Sequence, residues 1–436
     1  MPNKDQSDRA TSDQRVESVR IEPMPTRRER PAMIRLKPIT SFDRPLSVSE
    51  YYHASLGSSG GIVQPVEATF ILEGDGADFE EKAWRQALDK ASMANPGSRV
   101  RLVGCSLFAR WRSDGPMPRL RIVERTDWDG TSCEGAGFLR PSAFSLEEGP
   151  AVELLLVNRS PRGRLVVMRT PHAVMDGRGA LHFLAEVFRA LRGEPLLGSN
   201  APFTDVDVMR KFDPKKTISR PIPTGRLTGE PEGEESGDEW RRITLDVSSR
   251  DIVSRVAQAA AEHMHLHSDL PALFTVPVDI RRHVPGLVST ANFFGVVFVP
   301  LQKGESAEVF RERFRFMLAG RMECYYLAIG QLFKILPRRW IDRMLARYSG
   351  YNPLKKHIHT LGISNVGRMD PALYSWEGYS MRSCFVIPLQ GTNLTLMGAG
   401  DGVEIAINIP KVFASNGRFD VFVDHLRQRL IETDRR

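Results

Sequence analysis

Cysteine is scarce and scattered: Cys105, Cys133, Cys324 and Cys384 are the only four in 436 residues, and no two form a Cys-x-x-Cys pair. That pattern excludes a disulfide framework and a thiolate zinc site, and it leads us to expect a reducing, cytoplasmic setting. Long apolar runs are missing too. No stretch approaches the roughly 20 residues of a spanning helix, and the N-terminus lacks the apolar core of a signal peptide. An unexported chain with no stable membrane insertion is expected. The run from Ser55 to Gly61 lacks the glycine spacing of a dinucleotide fingerprint, so it reads as a loop. Ser364 lies in Gly-x-Ser-x-x-Gly, one residue away from nucleophile-elbow spacing, which argues against a serine acyl-enzyme. His263, His265 and His267 alternate with Met264 and Leu266 but have no further ligand nearby in sequence. They read as a solvated helix end, and no metal or bound cofactor is expected.

What is present begins with charge. Sixty Lys and Arg against 53 Asp and Glu leave a net charge of +7. The arginines are dispersed, and nothing resembles a nucleic-acid module. An acyl donor bearing phosphates would suit this balance, as would a solvated arginine-rich surface. Residues 1–33 mix both charge signs with Ser, Gln and Pro and read as a disordered tail. Folded sequence is expected over 34–212 and 240–436, joined by a Pro- and Gly-containing crossover at 213–239. At this length two domains of about 150 to 200 residues are natural. The Ser-x-x-Glu of Ser47 to Glu50 has the form of a capping box. Long helical stretches are expected near Ala307 to Gly320 and Met322 to Ser349.

One local pattern implies a reaction. Leu165-Val-Val-Met-Arg169 is a β-branched apolar run after the turn-like Ser160-Pro-Arg-Gly163, so it predicts a strand. Beyond Gly177, apolar residues at Ala180, Phe183, Leu184, Val187, Phe188 and Leu191 mark one helical face. His172 and Asp176 therefore fall in a strand-to-helix turn. A histidine there can take a proton from an attacking hydroxyl or amine. For an isolated His-x-x-x-Asp the alternative is a packed histidine beside a helix-capping Asp.

The flanks bear on that choice. Phe144-Ser-Leu-Glu-Glu-Gly-Pro150, Val152-Glu-Leu-Leu-Leu156 and His172-Ala-Val-Met-Asp-Gly177 together resemble the chloramphenicol acetyltransferase-like superfamily. That group includes nonribosomal-peptide condensation domains, plant-type alcohol acyltransferases, wax ester synthases and polyketide-associated acyltransferases. Two later stretches match in order: Val278-Asp-Ile-Arg281 with Asn292-Phe-Phe-Gly295, and Ile363-Ser-Asn-Val-Gly367. Peptide-forming condensation domains usually carry two consecutive histidines before x-x-x-Asp-Gly, and here Pro171 occupies the first, which leans toward the single-histidine acyltransferases. The Asp-Phe-Gly-Trp-Gly element of the plant enzymes is absent; Leu394-Thr-Leu-Met-Gly398 falls near its place.

The resemblance implies an α/β fold of two such domains, each a mixed sheet flanked by helices, with the active-site channel at their interface. It implies His172 as general base, Asp176 and Gly177 as structural support with Arg281 paired to Asp176, and Ser364, Asn365, Asn292 and Gly295 in the substrate or oxyanion region. The expected activity is transfer of an acyl group from a coenzyme A or acyl-carrier-protein thioester to an alcohol or amine, in specialised lipid or natural-product biosynthesis. The alternatives are a free-standing condensation enzyme forming an amide between carrier-bound substrates, and a catalytically silent module that binds carrier proteins. A monomer acting on a small-molecule acceptor is expected.

Overall fold

The computed structural model describes residues 37–59, 65–77, 79–140, 142–159, 163–212, 223–325, 330–348, 359–399 and 402–435. The tail at 1–33, the start of the crossover at 213–222, and parts of the Ser55 to Gly61 loop and of the Met322 to Ser349 stretch lie outside these residues. Fourteen strands are present among them: β1 (Asp43–Pro45), β2 (Glu67–Asp75), β3 (Arg101–Val103), β4 (Arg110–Arg112), β5 (Arg119–Val123), β6 (Glu153–Arg159), β7 (Gly163–Pro171), β8 (Asp238–Leu245), β9 (Ala272–Asp279), β10 (Phe294–Leu301), β11 (Leu361–Met369), β12 (Ser380–Ile387), β13 (Asn393–Ala399) and β14 (Gly402–Pro410). They form a five-stranded sheet in the order β12-β2-β7-β6-β5, a six-stranded sheet β10-β9-β11-β13-β14-β8, and a small sheet β1-β4-β3.

The central strands of the first sheet are covered on both faces, which is why they are continuous apolar runs. Phe70, Ile71 and Leu72 on β2, and Leu165 to Met168 on β7, are all fully buried. One face packs on helices Glu81–Ala94 and Gly177–Leu191, where Trp84, Leu88, Phe183, Leu184 and Phe188 share a core. β9 behaves differently. Its residues alternate, with Phe274 and Val276 packed toward helices Ile252–Met264 and Ala307–Ala319. The period of two turns Thr275, Pro277 and Asp279 to the opposite face.

β12 comes from the second half of the chain yet completes the first sheet, antiparallel to β2 with Phe385 opposite Ile71. Apart from this strand, the first sheet is built from residues up to 171 and the second from residues 238 onward, so β8 starts inside the expected 213–239 crossover. Arg242 on β8 stitches the sheets together through Glu73 on β2 at 2.8 Å and Glu404 on β14 at 2.9 Å. The stretch from Met322 is not one long helix. Pro337 cannot donate a backbone hydrogen bond, and it separates a 3-10 turn, Gly330–Ile335, from the helix Arg338–Tyr348.

Candidate active site

A cavity of about 680 Å³ lies between the two large sheets, lined by Ala68, Phe70, Val386 and Ile387 from the first and by Thr275, Pro277, Ile363, Ser364 and Leu394 from the second. His172 and His53 also line it. β7 ends at Pro171, and the turn after it is held from three sides. The His172 N–H donates to the Val66 carbonyl at 2.9 Å. Asn292 Nδ2 donates to the carbonyls of His172 and Ala173 at 2.9 and 3.0 Å. Asp176 caps helix Gly177–Leu191, its Oδ1 accepting from Gly179 N at 2.7 Å.

Asp176 has no capacity left for the cavity. Arg281 grips it in bidentate fashion at 2.9 and 3.0 Å, and Phe293 N–H donates to its Oδ2 at 2.7 Å. Arg281 is in turn held by Asp279 Oδ1 at 3.1 Å and by the Ala291 carbonyl at 2.5 Å. Burial disfavours this guanidinium, yet the Asp176 and Asp279 carboxylates outweigh it and leave its pKa raised. The planar fork suits two carboxylate oxygens at once, which a lysine does not.

His172 is left to face the cavity. Burial, the largest effect, pulls its pKa below the ordinary imidazole value, against its own backbone carbonyl and the Asp176 charge, so it is neutral at pH 7. That carbonyl favours the protonated ring without closing a hydrogen bond to Nδ1, which has no partner among the described residues. The ring stacks on His53 and meets Phe294 edge-on at 5.8 Å.

Two residues assigned to the substrate region by resemblance lie elsewhere. Asn292 is 1 % exposed, donates its amide to the two carbonyls of the histidine turn, and does not line the cavity. Gly295 lies against the backbone of Glu323, where a Cβ would come within 2.0 Å of the Glu323 carbonyl oxygen. Ser364 and Asn365 both line the cavity. Asn365 Oδ1 accepts from Gly367 N at 3.0 Å across a bulge in β11, whereas the Ser364 hydroxyl is free among the described residues. Sequence reasoning missed His53. It belongs to helix Val48–Ser55, which opens with the capping box: Ser47 Oγ accepts from Glu50 N, and Glu50 accepts from Ser47 N. Of the three histidines at 263–267, His267 is exposed and His265 half-buried at the helix end as expected, but His263 is buried against Phe422 and His425.

No protein-family model matches the sequence, and no curated protein matches it. Solved structures do match over nearly the whole chain. The starter condensation domain of rhizomide synthetase in complex with C8-CoA superimposes with a TM-score of 0.60 at 13% identity, covering 89% of this chain and 94% of its own. The chain has the chloramphenicol acetyltransferase-like fold. Polyketide synthase associated protein 5 from Mycobacterium tuberculosis shares this fold at TM-score 0.59 and 13% identity, over 89% of this chain and 98% of that one. So does F. graminearum TRI101 complexed with coenzyme A and T-2 mycotoxin, at 0.55 and 12%, over 87% and 96%.

Proposed function

We propose that this chain is an acyltransferase that moves an acyl group from a thioester to a hydroxyl or amine, with His172 as general base. The observation that carries this reading is the division of labour in the turn. Asp176 is fully engaged by Arg281 and two backbone N–H groups, Asp279 is held by Arg281, and the neutral imidazole of His172 faces the cavity beside His53. The acceptor O–H or N–H gives its proton to His172 while its heteroatom bonds to the thioester carbonyl carbon. Negative charge then sits on the carbonyl oxygen, and the unengaged Ser364 hydroxyl is a suitable donor to it. When the intermediate collapses, the C–S bond breaks and the imidazolium proton leaves with the thiol.

Coenzyme A is the donor favoured here, or a carrier protein with the same phosphopantetheine arm. Two fold relatives are described in complex with coenzyme A or an acyl-CoA. Arg178, Arg282 and Arg368 line this chain's cavity and suit the donor's phosphates. Thiol release from a panel of acyl-CoA and acyl-pantetheinyl carrier donors, with pooled alcohols and amines, tests the reading. Release by the wild type that is lost in His172→Ala supports it; equal release by both refutes it.

A further inference from the structure

Away from the cavity, Leu107, Phe108, Phe333, Ile335, Leu336 and Trp340 are between 39 and 80 % exposed. They come from two turns and the start of a helix that meet around Tyr51, whose hydroxyl donates to the Leu336 carbonyl at 2.8 Å and also reaches Ser106. Their outward aim is fixed from below. Lys334 folds inward and donates to the Leu46 carbonyl at 2.5 Å; Arg338 donates to the Ala54 carbonyl at 3.1 Å. Ile341 and Asp342 are buried, and Asp342 accepts from Gly57 N and Ser59 N at 2.9 and 2.8 Å. Side chains this apolar, held this far into water, mark a surface meant to be covered.

Charge identifies the cover. Arg338 is answered by Glu147, whereas Arg339 and Arg343 are exposed and have no ion pair among the described residues. Among the described residues the exposed apolar side chains come from two short turns and a helix start rather than from one continuous helix face or sheet edge, a shape that suits a fluid interface. A tryptophan among aliphatics with free arginines beside it matches the interfacial belt of a bilayer.

We propose that this face docks peripherally on an anionic lipid bilayer, with Trp340, Phe333 and Ile335 entering the headgroup region and Arg339 and Arg343 meeting lipid phosphates. The patch packs on helix Val48–Ser55, whose His53 lines the cavity, so docking brings lipid to the helix that borders the site. Docking itself does not depend on acyl transfer.

The test uses the full chain with vesicles of phosphatidylcholine, alone or mixed with phosphatidylglycerol. Sedimentation with the mixed vesicles is expected, weakening as salt rises. Arg339→Gln with Arg343→Gln should lower that affinity about 30-fold, at roughly a kilocalorie per arginine near the surface. Trp340→Ser should cost about tenfold. Trp84, Trp111, Trp128 and Trp240 are buried, Trp376 is half-buried against the first core, and Trp340 is 65 % exposed, so vesicles should blue-shift the emission and Trp340→Phe should abolish the shift. Absence of binding to mixed vesicles overturns the proposal, as does equal binding by Trp340→Ser. So does a dimer that the same substitutions dissociate, or an acidic carrier protein that the patch binds in place of vesicles. Thiol release measured without lipid is a separate readout, so failure of docking and failure of acyl transfer are distinguishable.

Discussion

The imidazoles of His53 and His172 lie nearly parallel, 13° apart with centroids 4.2 Å from each other, although they come from different elements far apart in sequence. His53 Nδ1 is 2.8 Å from the Ser49 carbonyl, which can only accept, so Nδ1 carries the proton and Nε2 is bare. Burial and then the neighbouring His172 hold the His53 pKa well below its ordinary value, so two charged rings do not coexist.

This stack has a consequence for pH dependence. A general base must be neutral, and burial depresses the His172 pKa, so activity should fall with decreasing pH only through an apparent pKa below 6.5. His53→Ala opens one face of His172 to water and should move that acid limb toward 6.5; His53→Phe keeps the face covered and should leave it low. Profiles of kcat/KM against pH for the three proteins check this. An unmoved limb in His53→Ala would show that stacking does not set the His172 environment.

Removing one member of the Asp176 and Arg281 pair strands a buried charge. Asp176→Asn and Arg281→Met should each cost about 3 to 5 kcal/mol of stability. The double variant should cost less than the sum, because no unpaired charge remains. Urea unfolding measures all three. His172→Ala, by contrast, should keep wild-type stability and lose about 10²- to 10⁴-fold in rate.

Asn292→Ala deletes two hydrogen bonds to the carbonyls of His172 and Ala173. A loss of about 2 kcal/mol in stability is expected, with kcat falling more than KM rises, since the base is misplaced while the cavity walls stay. A rise confined to KM would instead place Asn292 in substrate binding.

Two glycines in the first turn of helix Gly177–Leu191 differ in what they tolerate. A Cβ at Gly179 would lie 2.2 Å from the Thr290 carbonyl oxygen, whereas one at Gly177 would meet nothing closer than Val366 Cγ1 at 3.5 Å, an ordinary contact. Gly179→Ala should therefore lower the melting temperature clearly, and Gly177→Ala should leave it nearly unchanged while narrowing the cavity. Thermal unfolding of both variants decides between these expectations.

His263 is 2 % exposed, and neither ring nitrogen has a hydrogen-bond partner among the described residues. Burial, then the charges of His425 and His267, bring its pKa down from 6.5 to about 4. Between those values the unfolded chain binds a proton that the folded one does not, so stability declines as pH falls across that window and levels off below about 4. His263→Phe removes this dependence. The stability difference between the two proteins should change by about 3 kcal/mol from pH 7 to pH 4, read from denaturant midpoints.

The histidine motif is legible in sequence because strand, turn and helix follow one another within a few residues, each with its own period. Asp176 as a helix cap and Ser47 with Glu50 as a capping box are legible for the same reason. The Asp176 partner is not. Only likeness to relatives directs attention to Arg281, because nothing local in Asp279-Ile-Arg281 specifies a contact across the sheets. His53 leaves no signal at all, since one histidine in a short helix looks like any solvated one until the fold stacks it on His172. The need for glycine at 179 is equally invisible, being set by the approach of Thr290 from the other half of the chain.

Strand β12 carries a final implication, for the order in which the protein is made. The first sheet gives up one edge, and with it two cavity walls at Val386 and Ile387, to a segment that leaves the ribosome long after β2 and β7. Until that segment arrives, the Glu67–Asp75 strand offers unpaired backbone to any neighbouring nascent chain. Synthesis on crowded polysomes is thus the stage at which this protein is most exposed to mispairing, and a chaperone that shields β2 should raise its yield more than one acting after release.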